Sequence, residues 1–456
     1  MTMHGEIGNS ATGAHWTSRF AFLLASVGFA VGLGNIWRFP YVTGENGGAA
    51  FVLVYLFCVF AIGVPILMAE LFIGRRGGLS PAASMQSVAV ASGRSARWGW
   101  VGSANLLAAF SIMVAYSVVS GWVLSYLLRA LMTGFVGVDA TASQSTFNDL
   151  LAGPWQMLSW TLLALLLTGV IIYAGVQKGI ERAVKVLMPS LFALMLLLVG
   201  YNIVVGGFAE AVDYLFTPDF SKIDASTGLA AVGQAFFSIG VAMAGMMTFG
   251  AYLPSTVSIP RAAITIALAD TLVAILAGLV IFPAVFANGL DPASGPGLIF
   301  QTLPVALAQM PGGHLVSIMF FLLLSVAAIT SMVGLIEPLV HRAQERGWSR
   351  HRSTVTVVLA IAVCSVVSVL GYNVWSGAVI GDFDINTLLD VFANQMLLPL
   401  GGLFIALFAG WFVAPDIARQ ELKLGEGSGW VAWRTLIRWP VPIAIALIFV
   451  VGVSNL

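Results

Sequence analysis

About eleven apolar runs of roughly 20 residues each are what this chain must house when it folds. They lie near 20–43, 49–73, 101–130, 156–174, 184–205, 231–253, 262–287, 314–339, 354–372, 388–413 and 439–455. A helix of that length crosses the hydrocarbon of a bilayer and satisfies its own backbone hydrogen bonds, which an open strand or loop in lipid does not. The expected fold class is therefore an all-α polytopic membrane protein. Composition agrees: 59% of the 456 residues are hydrophobic, 9% are charged and the mean hydropathy is +0.96, whereas a soluble domain carries about 25% charged residues.

Basic residues gather in alternate connections: Arg75, Arg76, Arg94 and Arg97; Lys178, Arg182 and Lys185; Arg261; Arg342, Arg346, Arg350 and Arg352; Arg419, Lys423, Arg434 and Arg438. The intervening loops carry acids such as Asp213, Asp219, Asp224, Asp382 and Asp384. Positive charge marks the cytoplasmic side, so the N-terminus is expected inside and, after an odd number of crossings, the C-terminus outside. The location expected is the inner (plasma) membrane. A net charge of zero gives no reason to expect nucleic acid, and leaves the bilayer and a small molecule as partners. Cys58 and Cys364 lie in apolar runs without metal-ligand spacing, which reads as packing. No basic region and small-residue cleavage site precede the first run, so no cleaved signal peptide is expected.

One run cannot be a continuous helix. Between Gly28 and Pro40 it holds Gly28, Gly32 and Gly34, the polar Asn35 and Arg38, and a proline. A helix in lipid breaks only where the freed backbone groups are buried in protein or line a cavity. Carbonyls released around Ala30 and Val31, with the Asn35 amide oxygen, suit a small cation, and the following half-helix offers N–H groups to an anion. Gly28 and Gly32 also fit a small-xxx-small packing face, but packing does not call for Asn35 and Arg38. Span six is interrupted in the same way at Gly240-Val-Ala-Met-Ala-Gly245. Matching interruptions in two five-span halves place a binding site at the midplane between them. Four carboxylates also fall inside runs: Glu70, Asp270, Glu337 and Asp390. Asp270 has no base nearby in its own helix, so it is either neutral or beside a cation.

The string Ala30-Val-Gly-Leu-Gly-Asn-Ile-Trp-Arg-Phe-Pro40, followed by Glu45-Asn-Gly-Gly48, resembles the first-helix signature of the neurotransmitter:sodium symporter family, the LeuT-fold secondary transporters. The resemblance covers spans one to ten; family members commonly have twelve spans. It implies two inverted five-helix repeats with broken helices one and six, at 20–205 and 206–413, after a cytoplasmic tail at 1–19 and before a loop and an eleventh helix at 414–456. It also implies two sodium sites. The first takes Ala30, Asn35, Ser238 and Asp270; the second takes Gly28, Val31, Ala327, Thr330 and Ser331. The substrate pocket takes Ala30, Gly32, Leu33, Gly34, Ile112, Tyr116, Phe237, Ser238, Gly240, Met243, Ser331 and Leu335. Arg38 and Asp390 match the outer gate, and Trp16, Ser18 and Glu345 the surroundings of the cytoplasmic gate, whose basic partner falls on Gly13 here.

Gly32 stands where amine-carrying members have an Asp, which implies an amino acid whose own carboxylate meets sodium. The apolar Ile112, Phe237, Met243 and Leu335 imply a neutral, hydrophobic one. Asp270 and Ala274 replace the Asn and the chloride-binding Ser of other members, which implies that chloride is not required. Ala242 and Ala244 replace family glycines and stiffen the break in span six. A channel or a substrate sensor on the same fold is the competing reading, although a sensor would need a soluble domain that these loops are too short to hold. An enzyme is not expected, since no His-x-x-x-His pair and no Ser or Cys beside a base at catalytic spacing occurs.

Overall fold

The computed structural model describes residues 15–292 and 297–454, so Gly13 lies outside the described residues. Among these, nine helices are long and apolar enough to cross a membrane. They are span two (Ala49–Gly77), three (Ala96–Met132), four (Pro154–Tyr173), five (Val176–Val205), seven (Ile259–Ala287), eight (Gly313–Gln344), nine (Arg350–Gly371), ten (Ile385–Phe412) and eleven (Ser428–Ser454). Span one is a pair, Arg19–Ala30 and Gly34–Glu45, bent by 49°. Span six is also a pair, Ala225–Ile239 and Gly245–Ala251, each half too short to cross alone. With both pairs counted, the apolar runs and the helices correspond one to one.

Span boundaries move where charge interrupts hydropathy. Span five was expected from 184 but begins at Val176 and takes in Lys178 and Arg182, because long basic side chains at a helix end reach back to the interface. Arg350, expected in a loop, is half-buried at the start of span nine. Its Nη2 and Nη1 meet both Glu337 oxygens, at 2.7 and 3.0 Å, and its Nε donates to the Ile172 carbonyl. That fork ties spans four, eight and nine together, and Tyr252 adds its hydroxyl to Glu337 Oε1 at 2.9 Å. Between spans seven and eight lies an uncounted apolar helix, Leu298–Gln309. A short hairpin, β1 (Val379–Ile380) with β2 (Phe383–Asp384), precedes span ten.

Span eight is the centre of the bundle: 83% of its most apolar window is buried, against 22% for span eleven. Spans one and six cross it at their breaks. In span one Val31 turns extended, and the Asn35 Oδ1 accepts the freed Gly32 N–H at 3.2 Å, closing the turn with a side chain. In span six Gly240 is left-handed at φ +71°, and so are two alanines, Ala242 at +63° and Ala244 at +64°. Each L-residue held there costs about 1–2 kcal/mol. Compensation comes from Glu70, fully buried in span two, whose Oε1 accepts the Ala242 N–H. The Phe29 ring fills the space beside Gly240, Gly245 and Gly334, where an added Cβ would stand 3.0, 2.4 and 2.1 Å from it. Span six starts on a capping box at Asp224, and the Ser226 hydroxyl, with Thr227, holds that carboxyl down to about 2.

Candidate functional site

The two breaks face each other across a small cavity. It has a volume of about 30 Å³ and is lined by Phe29, Ala30, Gly32, Gly34, Ile112, Tyr116, Phe237, Gly240, Met243, Ser331 and Leu335. Above it opens a vestibule of about 990 Å³. Gly34, Ile112, Tyr116 and Phe237 line both spaces, so the Phe237 ring stands at the passage between them. A Cβ at Gly34 would lie 2.8 Å from that ring. Of the pocket residues expected from sequence, Leu33 belongs to the vestibule wall and Ser238 lies behind the cavity, in the polar cluster described next. Phe29 is the lining residue that sequence reasoning missed.

The polar end of the cavity is built from span one. The Leu33 N–H donates to the Tyr116 hydroxyl at 3.0 Å. Gly32 lies close against the same group: a Cβ there would sit 2.3 Å from Ser331 Oγ and 2.9 Å from Tyr116 OH. The Leu33 amide and two hydroxyls thus converge where a side chain is missing, an arrangement suited to a carboxylate that takes the place of the internal hydrogen bonds.

Behind it, Asn35, Ser238 and Asp270 are all buried and mutually bonded. Asp270 Oδ2 accepts from Ser238 Oγ at 2.6 Å, and Asp270 Oδ1 from Asn35 Nδ2 at 2.7 Å. Asn35 Nδ2 also reaches Ser238 Oγ at 2.9 Å. Here the Asn35 nitrogen, not its oxygen, faces the carboxylate. The oxygen accepts from the Gly32 N–H and keeps a second lone pair for a cation. Tyr55 of span two, which sequence reasoning passed over, contacts both Ser238 and Asp270, at 3.2 and 3.4 Å. No basic side chain forms an ion pair with Asp270 among the described residues. A buried carboxylate without a base, set among neutral oxygens, is a donor set for a hard monovalent cation.

The second cluster joins spans one and eight. Ser331 Oγ donates to the carbonyls of Phe29 and Val31, at 3.2 and 3.4 Å, while Thr330 Oγ1 bonds back to Val326 and Ala327, both at 3.0 Å. Gly28 lies against Thr330, whose Cβ would be 3.4 Å from a Cβ at 28. Gly28, Val31, Thr330 and Ser331 therefore meet where spans one and eight cross, while the Thr330 hydroxyl stays bonded to Val326 and Ala327 of its own helix.

The expected outer-gate residues stand apart in this structure. Arg38 and Asp390 line the same vestibule but form no ion pair. Arg38 Nη1 instead donates to Gln234 Oε1 at 2.7 Å with its guanidinium 5.2 Å from the Phe237 ring centre, and Asp390 accepts from Asn394 at 2.7 Å. Asp390 is also exposed, because the open vestibule reaches it. Among the described residues Glu345 does not meet the N-terminal tail; it accepts from the Ser80 amide at 2.5 Å and from Arg342 at 2.8 Å. Trp16 is buried at the N-terminal end of span one. Its Nε1 donates to the Phe249 carbonyl at 3.1 Å, its backbone N–H donates to Tyr252 O, and its ring packs on Phe22, Phe249 and Tyr252. Ser18 caps span one through Ala21 N–H. Among the described residues the acidic partner of the tail is Glu181 of span five, which accepts from the Thr17 amide at 3.2 Å and from its hydroxyl, and pairs with Lys185 at 2.7 Å. Neither Thr17 nor Glu181 carried a sequence signal.

Comparison with known proteins agrees with this geometry. The family model described as Sodium:neurotransmitter symporter family matches residues 13–149 and 144–456. An uncharacterized sodium-dependent transporter, YhdH of Bacillus subtilis, is 35% identical over 95% of this chain and 96% of its own. A second, from Haemophilus influenzae, is 33% identical over 97% and 98%. The crystal structure of MhsT in complex with L-phenylalanine superposes with a TM-score of 0.88 at 40% identity, covering 96% of this chain and 99% of that one.

Proposed function

This chain belongs to the sodium:neurotransmitter symporter family and has the LeuT fold, and from that premise we propose that it carries neutral, hydrophobic L-amino acids by sodium-coupled alternating access without requiring chloride. Sodium dependence and membrane transport, and not enzymatic catalysis, come with the family. The observation that carries the finer reading is the space at Gly32. Tyr116 OH, Ser331 Oγ and the amide edge at Leu33 border it, groups that suit a carboxylate, and none of the three is an acid that would pair an ammonium. Ile112, Phe237, Met243 and Leu335 leave the rest of the cavity apolar. MhsT, whose structure holds L-phenylalanine, supports the same class.

In this reading Ala30, Asn35, Ser238 and Asp270 bind one sodium beside the substrate carboxylate, and Gly28, Val31, Ala327, Thr330 and Ser331 bind a second. Asp270 supplies the fixed negative charge at the first site, where Ala274 offers chloride no hydroxyl. The repeats divide at 205/206, the N-terminal tail is cytoplasmic and the C-terminus faces outward across the plasma membrane. Arg38 and Asp390 come together when the vestibule closes over Phe237. The test is a thermal-shift screen of the purified protein against amino acids, with sodium or with potassium. Large apolar L-amino acids are expected to raise the transition only in sodium, equally in chloride and gluconate. Sodium-dependent binding of the decarboxylated amines would overturn the reading.

A further inference from the structure

The rim where span ten ends and span eleven begins carries three arginines with no acid beside them. Arg438 Nε donates to the Gly410 carbonyl at 2.7 Å, with its guanidinium 4.9 Å from the Trp411 ring centre. Arg94, from the connection between spans two and three, reaches the Phe412 carbonyl at 3.4 Å and lies 5.8 Å from the Phe412 ring. Arg434, one helical turn before Arg438, rests 5.1 Å from Trp430. Among the described residues no carboxylate comes within 4.0 Å of any of the three, whereas neighbouring Arg419 is paired with Glu426 at 3.1 Å. Like charges four residues apart on a helix repel, and here both are held by rings and a carbonyl that leave guanidinium N–H groups free to point outward.

The surroundings are those of a membrane interface. Trp411 and Trp439 meet edge to face at 5.0 Å, and each is substantially exposed, at 41% and 56%. Tryptophans with one polar edge settle at headgroup depth. From Trp439 a stripe of exposed apolar side chains, Ile443, Leu447 and Val450, runs up one face of span eleven. Cationic groups at the headgroup level thus stand directly at the foot of an apolar track.

We propose that this rim is a binding site for an anionic phospholipid, its phosphate held among Arg94, Arg434 and Arg438 and an acyl chain laid along Trp439, Ile443, Leu447 and Val450. Unpaired basic groups beside a membrane helix attract anionic headgroups, and an anion between Arg434 and Arg438 removes their mutual repulsion. None of these residues touches the transport cavity or the sodium clusters.

The full-length protein, delipidated in neutral detergent and given equal amounts of phosphatidylglycerol and phosphatidylcholine, is examined by native mass spectrometry. Wild type is expected to retain phosphatidylglycerol over phosphatidylcholine by about threefold or more. The R94Q/R434Q/R438Q triple variant should bring that ratio near one, and the corresponding lysine triple should keep most of it. Sodium-dependent thermal shift by an amino acid serves as the check that each variant is folded. Equal retention of the two lipids by wild type, or an unchanged ratio in the folded glutamine triple, overturns the proposal. Displacement of phosphatidylglycerol by millimolar inorganic phosphate would also overturn it, because the site would then be one for a soluble anion.

Discussion

At the residue scale the most informative position is Gly32, where the absence of a side chain is the specificity element. A Cβ there would stand 2.3 Å from Ser331 Oγ, so Gly32→Asp does not turn the pocket into an amine site. The expected outcome is loss of amino acid binding by at least about 100-fold with no gain of amine binding, measured by scintillation proximity with both ligand types. Asp270 gives a second test. Asp270→Asn removes the only buried charge in the Asn35–Ser238 cluster, so the sodium concentration for half-maximal binding should rise by about tenfold or more. A sodium affinity unchanged in the mutant would assign the charge elsewhere. These positions were legible in the sequence because polar or missing side chains inside apolar runs have few structural excuses. Phe29 and Tyr55 were not. An aromatic residue in a membrane helix is the expected filler, and only three-dimensional packing against Gly240, Gly245 and Gly334 marks Phe29 as part of the site.

At the scale of the element, the break in span six is held by opposing contributions. Ala242 and Ala244 occupy left-handed backbone at a cost of about 1–2 kcal/mol each, while buried Glu70 holds the Ala242 amide. Ala244→Gly relieves the strain without touching a hydrogen bond. It should stabilise the protein modestly, raising the transition by a few degrees, and widen selectivity toward bulkier side chains, read by competition with a set of aromatic amino acids. A narrower set would contradict the role given to these alanines. The sequence showed that the two spans are interrupted but not how each break is closed, since Asn35 capping Gly32 and Glu70 capping Ala242 are contacts set by tertiary placement. Helix ends were legible only to within a turn or two, because hydropathy stops at the first charge while the backbone continues. Span five is the clearest case, with Lys178 and Arg182 inside the helix. Pro283 in span seven shows the same blindness: the Leu279 carbonyl it frees is taken up by Asn202 from span five, at 3.0 Å.

For the whole molecule, the side that carries Arg38 and Asp390 stands open and the side that carries Trp16 is shut. A 990 Å³ vestibule separates Asp390 from Arg38, whereas Trp16 is 3% exposed between spans one and six. Asp390→Asn should therefore leave equilibrium amino acid affinity within about twofold and slow turnover, since a hydrated ion pair contributes only about 1 kcal/mol. Equal losses in binding and turnover would make Asp390 a ligand instead. The proposed assignment of one sodium to each polar cluster is tested by Ser331→Ala, expected to raise the sodium requirement without changing selectivity, against Asn35→Ala, expected to weaken substrate binding even at saturating sodium. The bundle itself was legible from the spacing of apolar runs; which side would be shut was not, because Thr17 and Glu181 carry no pattern in the sequence. Their placement has a consequence for electrical tightness. The tail is fastened twice within two residues, by Trp16 to the end of span six and by Thr17 to span five. Loosening either contact alone leaves the other in place, so brief excursions of one helix do not open a wire for ions. Trp16→Ala, at a cost of about 3–5 kcal/mol, removes the larger fastening, and the protein should then pass a sodium current with no amino acid present.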